Sequence, residues 1–427
     1  MDVDRDPVTY LATALSSPGL PSELKPFYEA FSRFYDNKLW YQLTTTIEAF
    51  LATEAAGPYQ IDLYEHFIKD FASKLNQLKL ASIGIAVARQ FTGRSEQLLL
   101  LANPTYLPVC PIPDGNKALE FLTTLTESLD TPKTREAYVL ATMESAHFKL
   151  LLGNNEGTKE AMDKCEKILD SLDSVDLAVH ASFYRVSGDY FKAKAEYADY
   201  YKSSLLYLAC VNVEMDLLPG DRIQRAHDLG LAALLGKIYN FGELLMHPIL
   251  ESLVSTPHAW IRDLLYAFNA GDIVTFDSLV PAFAQEPILQ ENFSFLRQKI
   301  CLMALIEAVF KRPTSDRVLP FSVIASETRI SADEVEILVM KALSYVHHVA
   351  SLALLLTLEL SLLRLKLIRG TIDQVSSTTS ISWVQPRVLD RQQIDGLRER
   401  LATWCDRVSL VGDMAQAQGG PELFVQG

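Results

Sequence analysis

The chain has 427 residues, 49% hydrophobic and 22% charged, a balance that fits a folded chain of two or three domains rather than a disordered one. Its 39 basic and 53 acidic side chains leave a net charge of −14, which argues against general phosphate binding, because nucleic-acid affinity rests on Lys and Arg. The five cysteines, Cys110, Cys165, Cys210, Cys301 and Cys405, are scattered and odd in number, so a disulfide framework or zinc ribbon is not expected and a reducing compartment fits best.

The first residues, Met-Asp-Val-Asp-Arg-Asp, lack the basic-then-apolar order of a signal peptide, and 1–22 are expected to be flexible. From about residue 23 to 250 the pattern is helical almost throughout. Leu63, Phe67, Phe71 and Leu75 recur at four-residue steps, and Ala118, Leu119, Leu122, Leu125 and Leu129 mark a second stripe. Glu136 to Leu152 reads as a helix stopped at Gly153. Ala181 to Gly188 and Asp189 to Leu208 read as two more, with Tyr190, Tyr197 and Tyr201 interleaved. Apolar residues three and four apart are the mark of helices burying one face, and the connections are short and carry Gly, Asn, Asp or Pro. Many such helices in series predict a stacked helix-hairpin solenoid, here without a strict 34-residue consensus.

After about residue 312 the texture changes. Val318 to Thr328 reads as a short helix, and Ser331-Ala-Asp-Glu334 fits a capping box opening a helix through Val335, Leu338, Val339, Ala342 and Leu343. Two strand-like stretches follow, Leu367 to Val375 and Ser380 to Leu389. Helix, turn, helix and two strands is the order of a winged helix. The long apolar run Val349–Leu363 is broken by Glu359 and is short for a bilayer crossing, so no membrane partner is expected. From Arg391 the pattern returns to helix. Ile394, Leu397, Leu401, Trp404, Val408 and Val411 step by three and four, an a/d seam over almost three heptads. This stripe fits insertion into a multi-chain helical bundle better than packing on its own domain, and the tail from Ala415 is expected to be mobile.

Chemistry is hard to find in the chain. The phosphate-loop, dinucleotide and nucleophile-elbow motifs are missing, and the histidines include no His-Glu-x-x-His. The adjacent His347 and His348 point about 100° apart on a helix, a poor metal clamp. No catalytic residue, cofactor or metal is therefore expected. A winged helix binds DNA through basic or amide side chains at the start of its second helix, but here Asp333, Glu334 and Glu336 stand there and would repel phosphate. A protein-binding winged helix, offering strand edges to another chain, is the better reading.

Helical repeats, a winged helix and a terminal helix together resemble the PCI-domain proteins, which are scaffold subunits of the proteasome lid, the COP9 signalosome and a translation-initiation complex. Asn240-Phe-Gly-Glu-Leu-Leu-Met-His-Pro-Ile-Leu-Glu-Ser-Leu253, Leu265-Tyr-Ala-Phe-Asn269, Glu334-Val-Glu-Ile-Leu-Val-Met-Lys-Ala-Leu-Ser344, Trp383-Val-Gln-Pro-Arg-Val-Leu-Asp390 and Lys38-Leu-Trp-Tyr-Gln-Leu43 resemble the proteasome-lid branch, over roughly residues 25 to 410. The resemblance implies a mainly α fold with a TPR-like solenoid over 23–255 and a PCI domain over 256–390, its winged helix at about 313–390. A bundle helix would follow over 391–412 and a flexible tail over 413–427. It also implies a non-catalytic scaffold in the cytoplasm and nucleus. Its partners would be other PCI and metalloprotease-like lid subunits, and a neighbouring ubiquitin receptor. The expected protein interface comprises Ile368, Ile372, Trp383 and Val384 on the strands and Ile394, Leu397, Leu401, Trp404, Val408 and Val411 on the last helix. The competing readings are a signalosome or initiation-complex subunit, a winged-helix nucleic-acid binder, and an enzyme with an unrecognised site.

Two segments of about twenty residues interrupt the resemblance, Gly93–Pro113 and Tyr345–Arg364. Removing them joins Thr92 to Asp114 and Ser344 to Leu365 and restores the family pattern. Both have the size of short in-frame introns, and degenerate codons admit splice signals; Ser344-Tyr-Val346, for example, can be encoded with GTATGT. One or both are expected to be retained introns or gene-prediction errors, the alternative being genuine insertions. An irregular loop is expected for the first, and a helical extension or protruding hairpin for the second.

Overall fold

The computed structural model describes residues 7–17, 20–91, 115–312, 316–343, 365, 367–385 and 391–418. It is mainly helical with one three-stranded antiparallel sheet, as the sequence implies. The chain divides into two compact units, residues 1–237 and 238–427, so the last part of the expected solenoid lies in the second unit. Both suspected insertions, Cys110 and the His347-His348 pair lie outside the described residues.

Among the described residues the first unit is a run of ten main helices: α1 (Pro7–Ser16), α2 (Lys25–Asp36), α3 (Trp40–Leu51), α4 (Gln77–Gln90), α5 (Gly115–Leu129), α6 (Arg135–Leu151), α7 (Asn155–Asp170), α8 (Leu177–Ala193), α9 (Tyr197–Cys210) and α10 (Pro219–Leu235). Neighbours in sequence pack as hairpins, most extensively α8 on α9, α6 on α7 and α5 on α6. Residues 7–16 are helical rather than flexible, because Leu11 is buried and Tyr10 stacks on His66 with ring centroids 5.4 Å apart. Leu63, Phe67, Phe71 and Leu75 are all buried, but not on a regular helix. A strict four-residue step drifts by roughly 40° per step on a 3.6-residue turn. The backbone offsets this drift with a wider π turn at Tyr64–Ile68, where Lys69 N–H donates to Tyr64 C=O, and a 3₁₀ turn follows at Ala72–Lys74.

The break expected at Gly188 is absent. Gly188 lies inside α8, which continues unbroken to Ala193. The chain turns instead at Lys194–Glu196, with Ala195 in the left-handed region at φ 57°. After α6 the turn falls at Gly153, φ 82°, as its composition implies.

A buried charge cluster ties three of these helices together. Glu144 of α6, with a side chain 1% exposed, accepts from Arg89 Nε of α4 at 2.8 Å and from Arg185 Nη2 of α8 at 2.5 Å. Burial pushes the Glu144 carboxyl up, but Arg185 and Arg89 outweigh it and hold the group at about 2.

The second unit opens with apolar turns in which Phe241, Leu244, Ile249, Leu250 and Leu253 are buried, followed by α11 (Ala259–Ala270) and α12 (Phe293–Phe310). Lys299 of α12 is buried to 1% exposure. Its amine lies 5.0 Å from the centre of the Phe241 ring and 5.5 Å from that of Tyr239. Burial drives its pKa well below the ordinary lysine value.

Beyond α12 come β1 (Val318–Pro320), α13 (Phe321–Thr328), α14 (Ala332–Ala342), β2 (Ile368–Asp373) and β3 (Thr378–Val384), with sheet order β1-β3-β2. Val318–Pro320 is a strand, not the start of the helix. Pro320 lacks an amide hydrogen and is tolerated on this short edge, paired opposite Thr378. The capping box at Ser331 and Glu334 forms as expected. Leu365 N–H donates to Lys341 C=O at 3.1 Å and Leu367 N–H to Ala342 C=O at 3.0 Å, so the chain on the two sides of the suspected second insertion meets in space. The unit ends in α15 (Arg391–Gln418), a 28-residue helix that runs beyond the expected end at 412.

Two buried charges make stability rise with pH in different windows. Glu144→Gln leaves two arginines without their counter-charge and is expected to cost about 3–5 kcal/mol at pH 7 in urea unfolding. The wild-type carboxyl is held below its unfolded value of about 4.5. Its contribution is therefore full above that pH and is lost as pH falls toward 2, so the variant should show a flatter acid limb. For Lys299 the folded pKa is lowered, so the unfolded chain binds more protons below the usual lysine value and stability rises with pH. Lys299→Met is expected to remove the stability increase between pH 7 and pH 9.

Candidate protein interface

The small sheet sorts the four expected strand residues into two kinds. β2 pairs with β3 in register Ile368↔Val384 and Arg369↔Trp383, then shifts to Gly370↔Ile381 and Thr371↔Ser380. Ser382 is the extra residue of this bulge, and its Oγ donates to Arg369 C=O at 3.2 Å. Strict alternation after Thr379 and Ile381 would turn Trp383 inward and Val384 outward. The bulge reverses that, so Val384 is buried at 8% and Trp383 faces solvent at 36%. The Arg369 guanidinium covers the Trp383 ring at 4.9 Å. Ile368 is 0% exposed and Ile372 half-buried. The side chains of Ile368 and Val384 belong to the core beneath the sheet, so at these two expected interface positions any contact would be made by strand backbone. What β2 offers outward is backbone, since among the described residues it pairs only with β3 apart from one bridge, Leu343 to Ile368.

Gly370 sits at the bulge because nothing larger fits. An added Cβ would lie 2.1 Å from Ser380 O, inside the backbone of β3. At the wing tip, Asp373 Oδ1 accepts from the amides of Val375 and Ser376 at 3.0 and 3.2 Å. These bonds, with the Ser376 hydroxyl first, lower the Asp373 pKa. Val375 at the tip is exposed, as is Ile337 on α14. The sequence reading missed both, since a single apolar residue at a turn or on a helix carries no periodic signal. The start of α14 presents carboxylates: Glu334 closes the cap, and Glu336 accepts from Gln374 of the wing.

The terminal helix differs from every other long helix of the chain. From Ile394 to Met414 all its side chains are exposed. The whole expected seam, Ile394, Leu397, Leu401, Trp404, Val408 and Val411, lies open at 40–63% exposure, with Leu410 and Met414 beside it. Local bonds hold the helix, among them an Arg398–Asp395 ion pair at 3.6 Å and Thr403 Oγ1 donating to Glu399 C=O at 2.9 Å. At 1.5 Å per residue it spans about 40 Å, long enough for an interhelical seam.

The family described as PSD13 N-terminal repeats matches residues 27–265, more than half of the chain. The chain is 37% identical over 399 residues to a Schizosaccharomyces pombe protein named probable 26S proteasome regulatory subunit rpn9, covering 93% of each. The chain belongs to the family of 26S proteasome non-ATPase regulatory subunit 13. Two further members of the subunit 13 family show the same breadth. Arabidopsis thaliana subunit 13 homolog A is 39% identical over 396 residues, covering 90% of this chain and 92% of the relative. Saccharomyces cerevisiae regulatory subunit RPN9 is 36% identical over 407 residues, covering 93% of each. The family repeats run from α2 into α11 and stop before the small sheet.

Gly370→Val is expected to open the β2–β3 pairing. Amide hydrogen exchange should show lost protection confined to β2 and β3, with α4–α8 unchanged.

Proposed function

We propose that the chain is a structural subunit of the proteasome regulatory lid. It would dock by its last helix and by the outer edge of β2, and carry out no reaction of its own. The observation that carries this reading is the open seam of α15. Burying one leucine-sized side chain is worth roughly 1.5–3 kcal/mol, so six exposed side chains in heptad register represent a large association energy left unused within this chain. Heptad order favours a helix as the covering element over a flat surface. The names of the relatives supply the assembly: they are proteasome regulatory subunits, two of them called non-ATPase. In this reading the other PCI and metalloprotease-like lid subunits are partners, a ubiquitin-receptor subunit lies alongside, and the protein occurs in cytoplasm and nucleus.

Trp404→Asp tests the reading. Trp404 is 62% exposed, so the change leaves the fold intact by circular dichroism. Affinity purification with mass spectrometry should show at least a tenfold loss of co-purifying lid subunits, the loss typical of a central aromatic anchor. Undiminished recovery of those subunits would overturn the docking role, and recovery of a signalosome or initiation-complex set would overturn the assignment to the lid.

A further inference from the structure

The charges of α15 are sorted by face. Assigning Ile394, Leu401 and Val408 to a positions and Leu397, Trp404 and Val411 to d positions puts Arg398 at e, and Arg400 and Arg407 at g. Asp395, Glu399, Asp406 and Asp413 fall at b and f, roughly 150–170° from the seam at 100° per residue. The apolar stripe is thus bordered on both sides by arginine, with carboxylates only on the far face, in a chain whose net charge is −14. All three guanidinium groups are exposed. Their partners among the described residues are within the helix: Asp395 for Arg398, and the Gly396 carbonyl, 3.2 Å from Nε, for Arg400.

We propose that α15 selects a helix of a different chain whose own apolar seam is flanked by Asp and Glu, and that its arginine borders disfavour a second copy of itself. This rests on the docking reading above and adds the chemistry of the partner. Residues at e and g set partner choice in helical bundles, because they meet across the seam. In a parallel pair of two copies each g faces the e of the next heptad, so Arg400 meets Cys405 and Arg407 meets Gly412, contacts that add no charge attraction. In an antiparallel pair e faces e and g faces g, which brings Arg400 against Arg407. Carboxylates on the partner would turn each of these contacts attractive. A membrane surface fits less well: interfacial helices carry their basic residues across the polar face, and here that face is acidic.

The test uses the full-length chain and two 28-residue helical peptides. The peptides share one Ile/Leu seam and identical b, c and f positions, and carry Glu or Lys at every e and g. In fluorescence anisotropy at low salt the Glu-flanked peptide should bind about tenfold tighter than the Lys-flanked one, with the gap shrinking at high salt. The triple variant R398E/R400E/R407E should reverse the order, and sedimentation of the chain alone should show a monomer. Equal binding of both peptides, or a dimer abolished by Trp404→Asp, would overturn the charge selection while leaving a docking helix in place. Capture on phosphatidylserine vesicles that depends on Trp404 would overturn it in favour of a membrane. Binding of neither peptide would overturn it too, and lid co-purification of Trp404→Asp then decides separately whether the docking reading stands.

Discussion

An amphipathic helix is stable in water when its apolar stripe is covered, and the structure turns on where that condition is met inside the chain and where it is not. In the first unit each long helix is covered by its hairpin neighbour: α8 packs on α9, and α6 on both α5 and α7. In the second, α12 carries buried side chains almost all round, from Leu296 to Val309. Among the described helices only α15 reaches its full length with its seam open. The solenoid and winged helix are complete without that seam, which leaves it available for assembly.

The buried charges show two solutions to the same penalty. Glu144 keeps its charge because two guanidinium groups from neighbouring helices reach it, and a carboxylate so paired also fixes the relative positions of α4, α6 and α8. Lys299 lies among aromatic rings, and there burial favours the neutral amine. The first arrangement resists movement of the helices, whereas the second costs stability near neutral pH. Neither group is within the proposed docking surface, so their energetics and the assembly energetics are separable.

The β2–β3 bulge has the most leverage for its size. One extra residue, Ser382, moves Trp383 to the solvent face beneath Arg369 and turns Val384 into the core. Gly370 makes the crossing close enough for the sheet to form. The short β1 and the paired side of β2 leave the outer edge of β2 as the sheet's open template. The contacts Leu365–Lys341 and Leu367–Ala342 anchor the start of that strand to the end of α14.

Periodicity along the chain was enough to establish a mainly helical protein, a capped α14, two wing strands and a heptad seam on the last helix, because each is a local pattern of apolar spacing or cap chemistry. The charge sorting of Arg398, Arg400 and Arg407 against Asp395, Glu399, Asp406 and Asp413 is equally local. Other features depended on contacts between residues distant in sequence. The turn falls at Ala195 instead of Gly188, with α8 packed along α9 on either side of it, and the strand at Val318–Pro320 exists only because Thr378–Ser380 comes back to pair with it. The burial of Ile368 and Val384 was likewise decided by sheet register, and the pairing of Glu144 with arginines 55 and 41 residues away by helix stacking. Spacing records which side of an element is apolar; what covers that side depends on the three-dimensional arrangement, and α15 is the helix whose apolar side this chain leaves uncovered.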